Sequence, residues 1–510
     1  MNMLYVRYLD RVEREVHLPL GPLHVARSLE DAGFKVDFRD FQLCDHPDLF
    51  SESAIADFLD QSADVLFVSC MANLLPFTLS ALRRFKEEHP WVTVVLGGVG
   101  PFSVEKSILK ACPWIDVIGR GEGELSTPIL LKALKEQKQN KPNSKEHLSK
   151  DQLSKDFLRG SSTGCSKNHP DITEFDLSRV PGITWRREGH ATLNPPPERI
   201  TKLDDLPWPA YHLVDLKRYH GINMLSSRGC PFPCTFCSVA PIWGRVPHLR
   251  SPESIVEEMR YLHEERGAEL FLFQDEYFVS TKERVLEVCK AISTLEFKAR
   301  WKAFGRIDLT DPELMEAMAE AGCVELRYGV ESGSDLVLEK TKKGFTAAQA
   351  MDVLSIASGI FPGVDAFYMW GFPFETMDEF QKTLMHMLSA RAMGVRILPS
   401  LVSYLPQTDL YNEIKDNVEF EFCPELFPEY MLTGHEICVG GRMEIIGAHR
   451  GIYEFIDAHP DIFPGFFHVD VEGNVLPKYR LLQKFGFYTL EGRSELLGSD
   501  VECCGAHQPD

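Results

Sequence analysis

No apolar run in this chain reaches the roughly 20 residues that span a bilayer, so no membrane span is expected. The opening residues MNMLYVRYLDRVERE lack the long apolar centre of a secretion signal. Cysteine is scarce, at 13 in 510 residues; the number is odd and too small for a disulfide framework. Positive charge is in deficit, with 54 Lys and Arg against 75 Asp and Glu and a formal charge of −21. That balance disfavours a long phosphate-tracking groove, and no nucleic-acid partner is expected. No short repeat of fixed period is present. What remains is a hydrophobic content of 44%, ordinary for a globular protein, in a chain long enough for two or three domains. A reducing, cytoplasmic setting is expected.

The first 134 residues read as strands alternating with helices. Strands are expected at residues 3–8, 35–38, 64–69, 93–96 and 115–118, with helices at 20–32, 54–62 and through residue 85. Apolar strands between amphipathic helices predict a doubly wound, Rossmann-like α/β domain, with ligands held beyond the carboxyl ends of the strands. Those ends carry Ser69, Met71 and Asn73, then Gly97, Gly98 and Val99, then Gly119, Gly121 and Glu122. Residues 135–215 lose the apolar period and become polar, then proline-rich at Asn194-Pro195-Pro196-Pro197, which predicts an insertion and an extended linker. A second strand–helix series over 216–420 predicts a partial (β/α)6 barrel with its chemistry at the C-terminal strand ends. Residues 421–510 are aromatic-rich and predict a small α/β cap. Its rings would either cover a substrate or pack a core.

The most informative residues are Cys230-Pro231-Phe232-Pro233-Cys234-Thr235-Phe236-Cys237, directly after the first strand of the second series. Three thiolates in eight residues can converge on an iron–sulfur cube, leaving one of its four irons open. Structural zinc would need a fourth ligand, normally from a second Cys pair, and none is evident. The spacing C-x3-C-x-aromatic-C resembles the signature of radical S-adenosylmethionine (SAM) enzymes. The segments FLFQDEYF (271–278), GRID (305–308), GVESGS (329–334), GFPFET (371–376) and LPQTDLY (405–411) resemble later strand and turn regions of that family. Phe374 and Gln407 each replace a family glycine.

The resemblance implies that Cys230, Cys234 and Cys237 hold a [4Fe-4S] cluster whose open iron chelates SAM, and that reductive cleavage yields a 5′-deoxyadenosyl radical. It places Gln274, Asp275 and Glu276 at the methionine amino group and Arg306 at the carboxylate. Glu331 and Ser332 fall at the ribose or carboxylate, and Phe236 near the adenine. Arg306 in a barrel salt bridge, and Asp275 or Glu276 as a helix N-terminal charge, are the competing readings. An external electron donor such as flavodoxin or ferredoxin is implied.

Residues 3–124, with LPLG (18–21), LEDAGFKV (29–36), VLGG (95–98) and GEGE (121–124), resemble the cobalamin-binding domain that precedes the barrel in one branch of the family. Leu20 and Gly21 join the strand-end residues above as implied cobalamin contacts. The D-x-H-x-x-G motif that ligates cobalt is absent, since Asp10 is followed by Arg11 and Val12. His17 has the wrong spacing for a ligand and reads as a partly exposed loop residue. The branch implies methylation of an unactivated carbon in a small-molecule substrate, large and apolar or ring-containing. Alternatives are an oxidative cyclase or rearrangement enzyme, and a non-catalytic iron–sulfur sensor or scaffold. Cys70, Cys289 and Cys323 read as buried structural thiols. Cys503-Cys504 lacks ligand geometry, and Cys423 and Cys438 would form a site only if the fold joined them.

Overall fold

The computed structural model describes residues 4–7, 12–45, 50–59, 63–139, 177–426 and 450–487. Cys438, Cys503, Cys504 and most of the polar insertion lie outside them.

The N-terminal sheet is built on β-branched and apolar runs. Strands β3 (Val65–Ser69), β4 (Thr93–Gly97) and β5 (Val117–Gly119) pair in parallel and in sequence order. Helix α3 (Leu75–Glu88) connects β3 to β4, and α4 (Glu105–Ala111) connects β4 to β5. Helix α1 (Leu20–Asp31) buries Leu23, Ala26 and Leu29, a helical spacing that packs it against α5 (Gly123–Gln139).

Two expected strands do not join this sheet. Strand β1 (Leu4–Arg7) pairs instead with β2 (Val12–Glu15) in an antiparallel ladder from Leu4↔Glu15 to Arg7↔Val12. A four-residue connection closes far more easily than a long parallel crossover, so the local partner wins. Residues 35–38 form no strand; Lys35, Asp37 and Arg39 alternate with less exposed neighbours, and Asp37 is bonded to Arg39 at 3.0 Å.

The sheet gains two strands from the segment expected to be linker. Strands β6 (Ile183–Arg187) and β7 (His190–Leu193) extend it antiparallel, giving the order β3-β4-β5-β6-β7. Glu188 and Gly189 form their two-residue turn, both at positive φ (51° and 78°), the conformation that tight hairpins require. Asn194 is buried, donating to the Leu177 and Val180 carbonyls.

The second sheet matches the expected partial barrel. Six parallel strands, β8 (Ile222–Met224), β11 (Leu270–Phe273), β12 (Arg300–Gly305), β13 (Cys323–Glu331), β14 (Gly363–Trp370) and β15 (Arg396–Leu401), lie in sequence order. Strand β15 is not paired with β8, so the barrel stays open. A short ladder of β9 (Ser227–Arg228) with β10 (His248–Leu249) leads into the cysteine loop. Outward positions of β13 such as Leu326, Tyr328 and Val330 are fully buried under helices, including Pro312–Glu320 and Ala347–Ile360.

The cap pairs β16 (Phe420–Phe422) with β17 (Phe467–Val469) and adds the helix Leu476–Lys484. Its described aromatics mostly pack: Phe463, Phe466, Phe467 and Tyr479 are buried, and Tyr479 stacks on Trp370 at 6.2 Å. Among the described residues no helix is long and apolar enough to cross a membrane.

Candidate functional site

Gly229 opens the cysteine loop at φ 101°, and a Cβ there would sit 3.0 Å from the Val246 carbonyl, so the tight exit from β9 needs glycine. The loop is pinned by backbone bonds from the Thr235 N–H to Thr341 and from the Leu410 N–H to Thr235. Cys230, Cys234 and Cys237 are all free and half-buried. Among the described residues no three His, Cys, Asp or Glu side chains converge on one point as a single ion demands. A cube binds each sulfur at a different iron, so it asks for three separated thiols facing one space, and this donor set fits it. Burial pushes the Cys237 thiol up to about 12 and raises that of Cys230 as well. Neither ionises unaided near neutral pH; bound iron is what would hold them as thiolates.

Positive charge faces this loop. Arg306 lies 3.4 Å from the centre of the Phe232 ring and points Nη1 at the Cys234 sulfur at 3.9 Å. The rest of its fork is committed, to Asp308 at 2.9 and 3.1 Å and to the Lys343 carbonyl at 2.6 Å. Arg306 therefore steadies the loop, and the structure does not support it as a free partner for a substrate carboxylate. Lys343, which the sequence reading did not single out, pairs with Glu331 at 3.1 Å in a buried site and lies 5.9 Å from the Phe236 ring. Glu331 holds φ 69° at a β-bulge, a strained conformation for a non-glycine residue.

The expected SAM contacts divide sharply. Asp275 is fully enclosed and accepts from the Ser226 N–H at 2.7 and 2.8 Å and from the Ser226 hydroxyl; burial pushes it up to about 7. It ties the end of β11 to the turn after β8 and is closed to a ligand. Ser332 is likewise sealed, bonded to Thr383 Oγ1 at 2.7 Å and accepting from Ser334 N–H. Gln274 donates to Asn223 Oδ1 at 3.2 Å and remains partly open. Glu276 is partly open as well. Burial raises its pKa, with Arg228 opposing. Phe236 meets Phe372 edge-on at 6.2 Å. Phe236 and the Glu331–Lys343 pair thus lie by the cysteine loop and Gln274 and Glu276 stay partly open, whereas Asp275 and Ser332 are enclosed and Arg306 is bonded to Asp308 and the Lys343 carbonyl.

The strand ends of the first sheet form a second rim. Gly98 has φ 85°, and a Cβ on it would meet the Cys70 carbonyl at 2.7 Å; at Gly100 the same carbonyl would lie at 2.8 Å. Glycine lets the loops after β3 and β4 close on each other, with Cys70 N–H donating to Gly97 and Gly100 N–H to Cys70. Gly98, Val99 and Gly121 are exposed, and Met71 and Asn73 half-exposed. Glu122 is not among them. It is buried, accepting from Arg228 at 2.9 Å and from Ile200 N–H at 2.7 Å. His17 is also buried, its backbone bonded to the Gln42 side chain, and is not the partly exposed loop residue expected.

Inside the barrel Lys302, Glu325, Arg327, Asp365 and Arg396 form an ion network across β12–β15, with Glu325 3.1 Å from Lys302 and 2.7 Å from Arg327. Burial alone would raise Glu325, but Arg327 and its neighbours hold it down to about 2. The trace of this network in the sequence is charge recurring inside apolar strands, as in VELRY and GVDAF.

The model of the radical SAM superfamily matches residues 224–387, and that of the B12 binding domain matches residues 9–131. An "uncharacterized methyltransferase" of Pyrococcus horikoshii is 28% identical, the match covering 63% of each chain. The anaerobic magnesium-protoporphyrin IX monomethyl ester cyclase of Synechocystis is 27% identical over 66% of this chain and 61% of its own. This chain thus spans about three fifths of the length of these curated relatives. Among solved structures, the radical SAM methyltransferase TsrM of Kitasatospora setae, with cobalamin and a [4Fe-4S] cluster bound, has the same fold. Its TM-score is 0.59 at 16% identity, covering 80% of this chain and 78% of TsrM.

Proposed function

The chain belongs to the radical SAM family and carries a B12-binding domain ahead of its radical SAM domain, and from that premise we propose that it methylates an unactivated carbon of a small-molecule substrate. The observation that carries the reading is the juxtaposition of a half-buried three-thiol loop with an exposed glycine rim, both at carboxyl ends of parallel strands. When bound, the cluster and corrinoid supply one-electron cleavage of SAM and carriage of a methyl group.

The chain's own residues hold and aim these groups. Cys230, Cys234 and Cys237 ligate the cluster, and Arg306 keeps the loop in place while lowering the electron density on the Cys234 sulfur. Glu276 and Gln274, both partly open, accept the methionine ammonium. Lys343 stands ready for the methionine carboxylate, oriented by Glu331. Phe236 packs beside the adenine. Electrons come from an external donor such as flavodoxin or ferredoxin, and the nine described cysteines, all free thiols, suit a reducing cytoplasmic setting. The substrate is large and apolar or ring-containing.

Anaerobic protein reconstituted with iron, sulfide and corrinoid should release 5′-deoxyadenosine from SAM under reductant, and labelled methyl should enter product. Cleavage without methyl incorporation would reject methyl transfer in favour of a cyclase or rearrangement enzyme, as the name of the Synechocystis relative allows. Binding of SAM without any cleavage would reject the enzyme. Cys234→Ala should lose the cluster's absorbance and most of its iron while keeping the fold.

A further inference from the structure

The two strand-end rims are joined by one buried charged node. Arg228 stands on β9, two residues before Cys230, and its guanidinium spans Glu122 at 2.9 Å and Glu124 at 2.6 Å. Both acids follow Gly121 on the glycine rim. All three side chains are at least 94% buried. Glu122 also accepts from Ile200 N–H and pairs with Arg199 at 3.3 Å, and both arginines lie over the Trp243 ring, at 5.2 and 5.6 Å. A Cβ on Gly123 would meet Val25 Cγ2 at 2.9 Å, so the acidic turn is wedged against α1 as well. Behind the node a cavity of about 20 Å³ is lined by His24, Arg228, Arg250 and Glu258. It has room for a single water, and among the described residues His24 Nδ1 and Arg228 Nε beside it have no hydrogen-bond partner.

Contacts between domains of one chain are ordinarily loose enough to allow relative motion. A desolvated arginine held by two carboxylates of the other domain opposes it, because sliding leaves a buried charge without its partner. We propose that Arg228, Glu122 and Glu124 form a positioning clasp that fixes the cluster loop against the corrinoid rim. It sets the gap across which radical formation and methyl transfer are coupled. None of the three touches substrate. Their effect passes through the loop that Gly229 and Cys230 begin and through the rim that Gly119 and Gly121 end. The proposal rests on the function given above only for the identity of the two groups; the clasp itself is a property of the protein alone.

The test uses the full chain. Arg228→Met leaves Glu124 buried without its arginine and Glu122 with Arg199 alone, and a failure to fold there is met by a second variant, Arg228→Met/Glu122→Leu/Glu124→Leu, which replaces the three clasp side chains by apolar ones of similar size. Hydrogen exchange of the segments 119–124 and 225–229 is read first, without any added group. Both are expected to exchange at least tenfold faster in the triple variant, while exchange in the sheet core at β4 and β13 stays unchanged. In reconstituted protein the ratio of 5′-deoxyadenosine to methylated product is then expected to rise several-fold, with cluster iron content unchanged. Native protection of both segments together with a wild-type ratio would overturn the clasp. Absence of 5′-deoxyadenosine from the wild type would instead overturn the proposed function, leaving the clasp to be judged on exchange.

Discussion

His24 and His468 are enclosed as neutral imidazoles: burial, with Arg228 adding to it, pushes His24 down to about 4, and burial pushes His468 down to about 3. In the unfolded chain each titrates near 6.5. The unfolded state therefore takes up protons first as pH falls, so the stability these groups confer is complete above about 6.5 and is lost progressively towards 4 and below. His468→Phe should flatten the fall of Tm between pH 6.5 and 4 relative to wild type, read by thermal denaturation at fixed ionic strength. A curve parallel to wild type would remove His468 as a source of acid sensitivity. The cysteine motif was legible because three thiols on one loop carry their chemistry in their spacing. Asp275 and Ser332 are enclosed where an open position was expected, because sequence places a residue near a site but does not say which way its oxygen atoms turn. Ser226 and Thr383 claim those oxygens first.

Among the elements, glycine at the β4 end is a close-approach device. Gly98→Ala puts a methyl 2.7 Å from the Cys70 carbonyl at a φ that favours glycine, and should cost on the order of 1–3 kcal/mol. It should also open the rim, so corrinoid retained after reconstitution and desalting should drop, whereas Gly359→Ala, within a helix and with nothing inside 4 Å, should stabilise slightly. Equal corrinoid retention in the two variants would dissociate the rim from binding. The long apolar strands β3, β4 and β11–β15 were readable from composition, because burial on both faces demands it. Strands β6 and β7 were not, because ITWRR and HATL mix polar and apolar residues at an antiparallel edge. The Glu188-Gly189 pair between them was the available turn signal.

For the whole molecule, the cap is fastened to the barrel mouth by Lys478. This fully buried ammonium bonds the Glu375 carboxylate at 2.9 Å, the Glu375 carbonyl at 2.6 Å and the Asn474 side chain. Glu375 in turn accepts from the Gly371 N–H, and Asn474 donates to the Phe372 carbonyl. The cap thereby sets the backbone of the turn after β14, the one in which Phe374 replaces a family glycine. Lys478→Met leaves a carboxylate buried without its cation and should cost on the order of 3–5 kcal/mol. The cost should appear as an added low-temperature transition in calorimetry and faster proteolysis within 450–487. A single transition at the wild-type midpoint would show that packing, including Trp370 on Tyr479, holds the cap without the pair.

The class of chemistry and the order of the two sheets follow from the residues alone, as does the expectation that the chain has no disulfide framework. Ligand spacing, strand periodicity and cysteine scarcity are local properties of the chain. Which polar groups stay open and which are spent on the fold depends on the three-dimensional arrangement. Glu122 lies in a motif beside the rim yet turns away to Arg228, over a hundred positions along the chain, and Arg306 turns to Asp308 and the cysteine loop. The physical reason is that a buried charge must find its partner wherever folding brings one, and that distance in sequence does not enter the Coulomb energy.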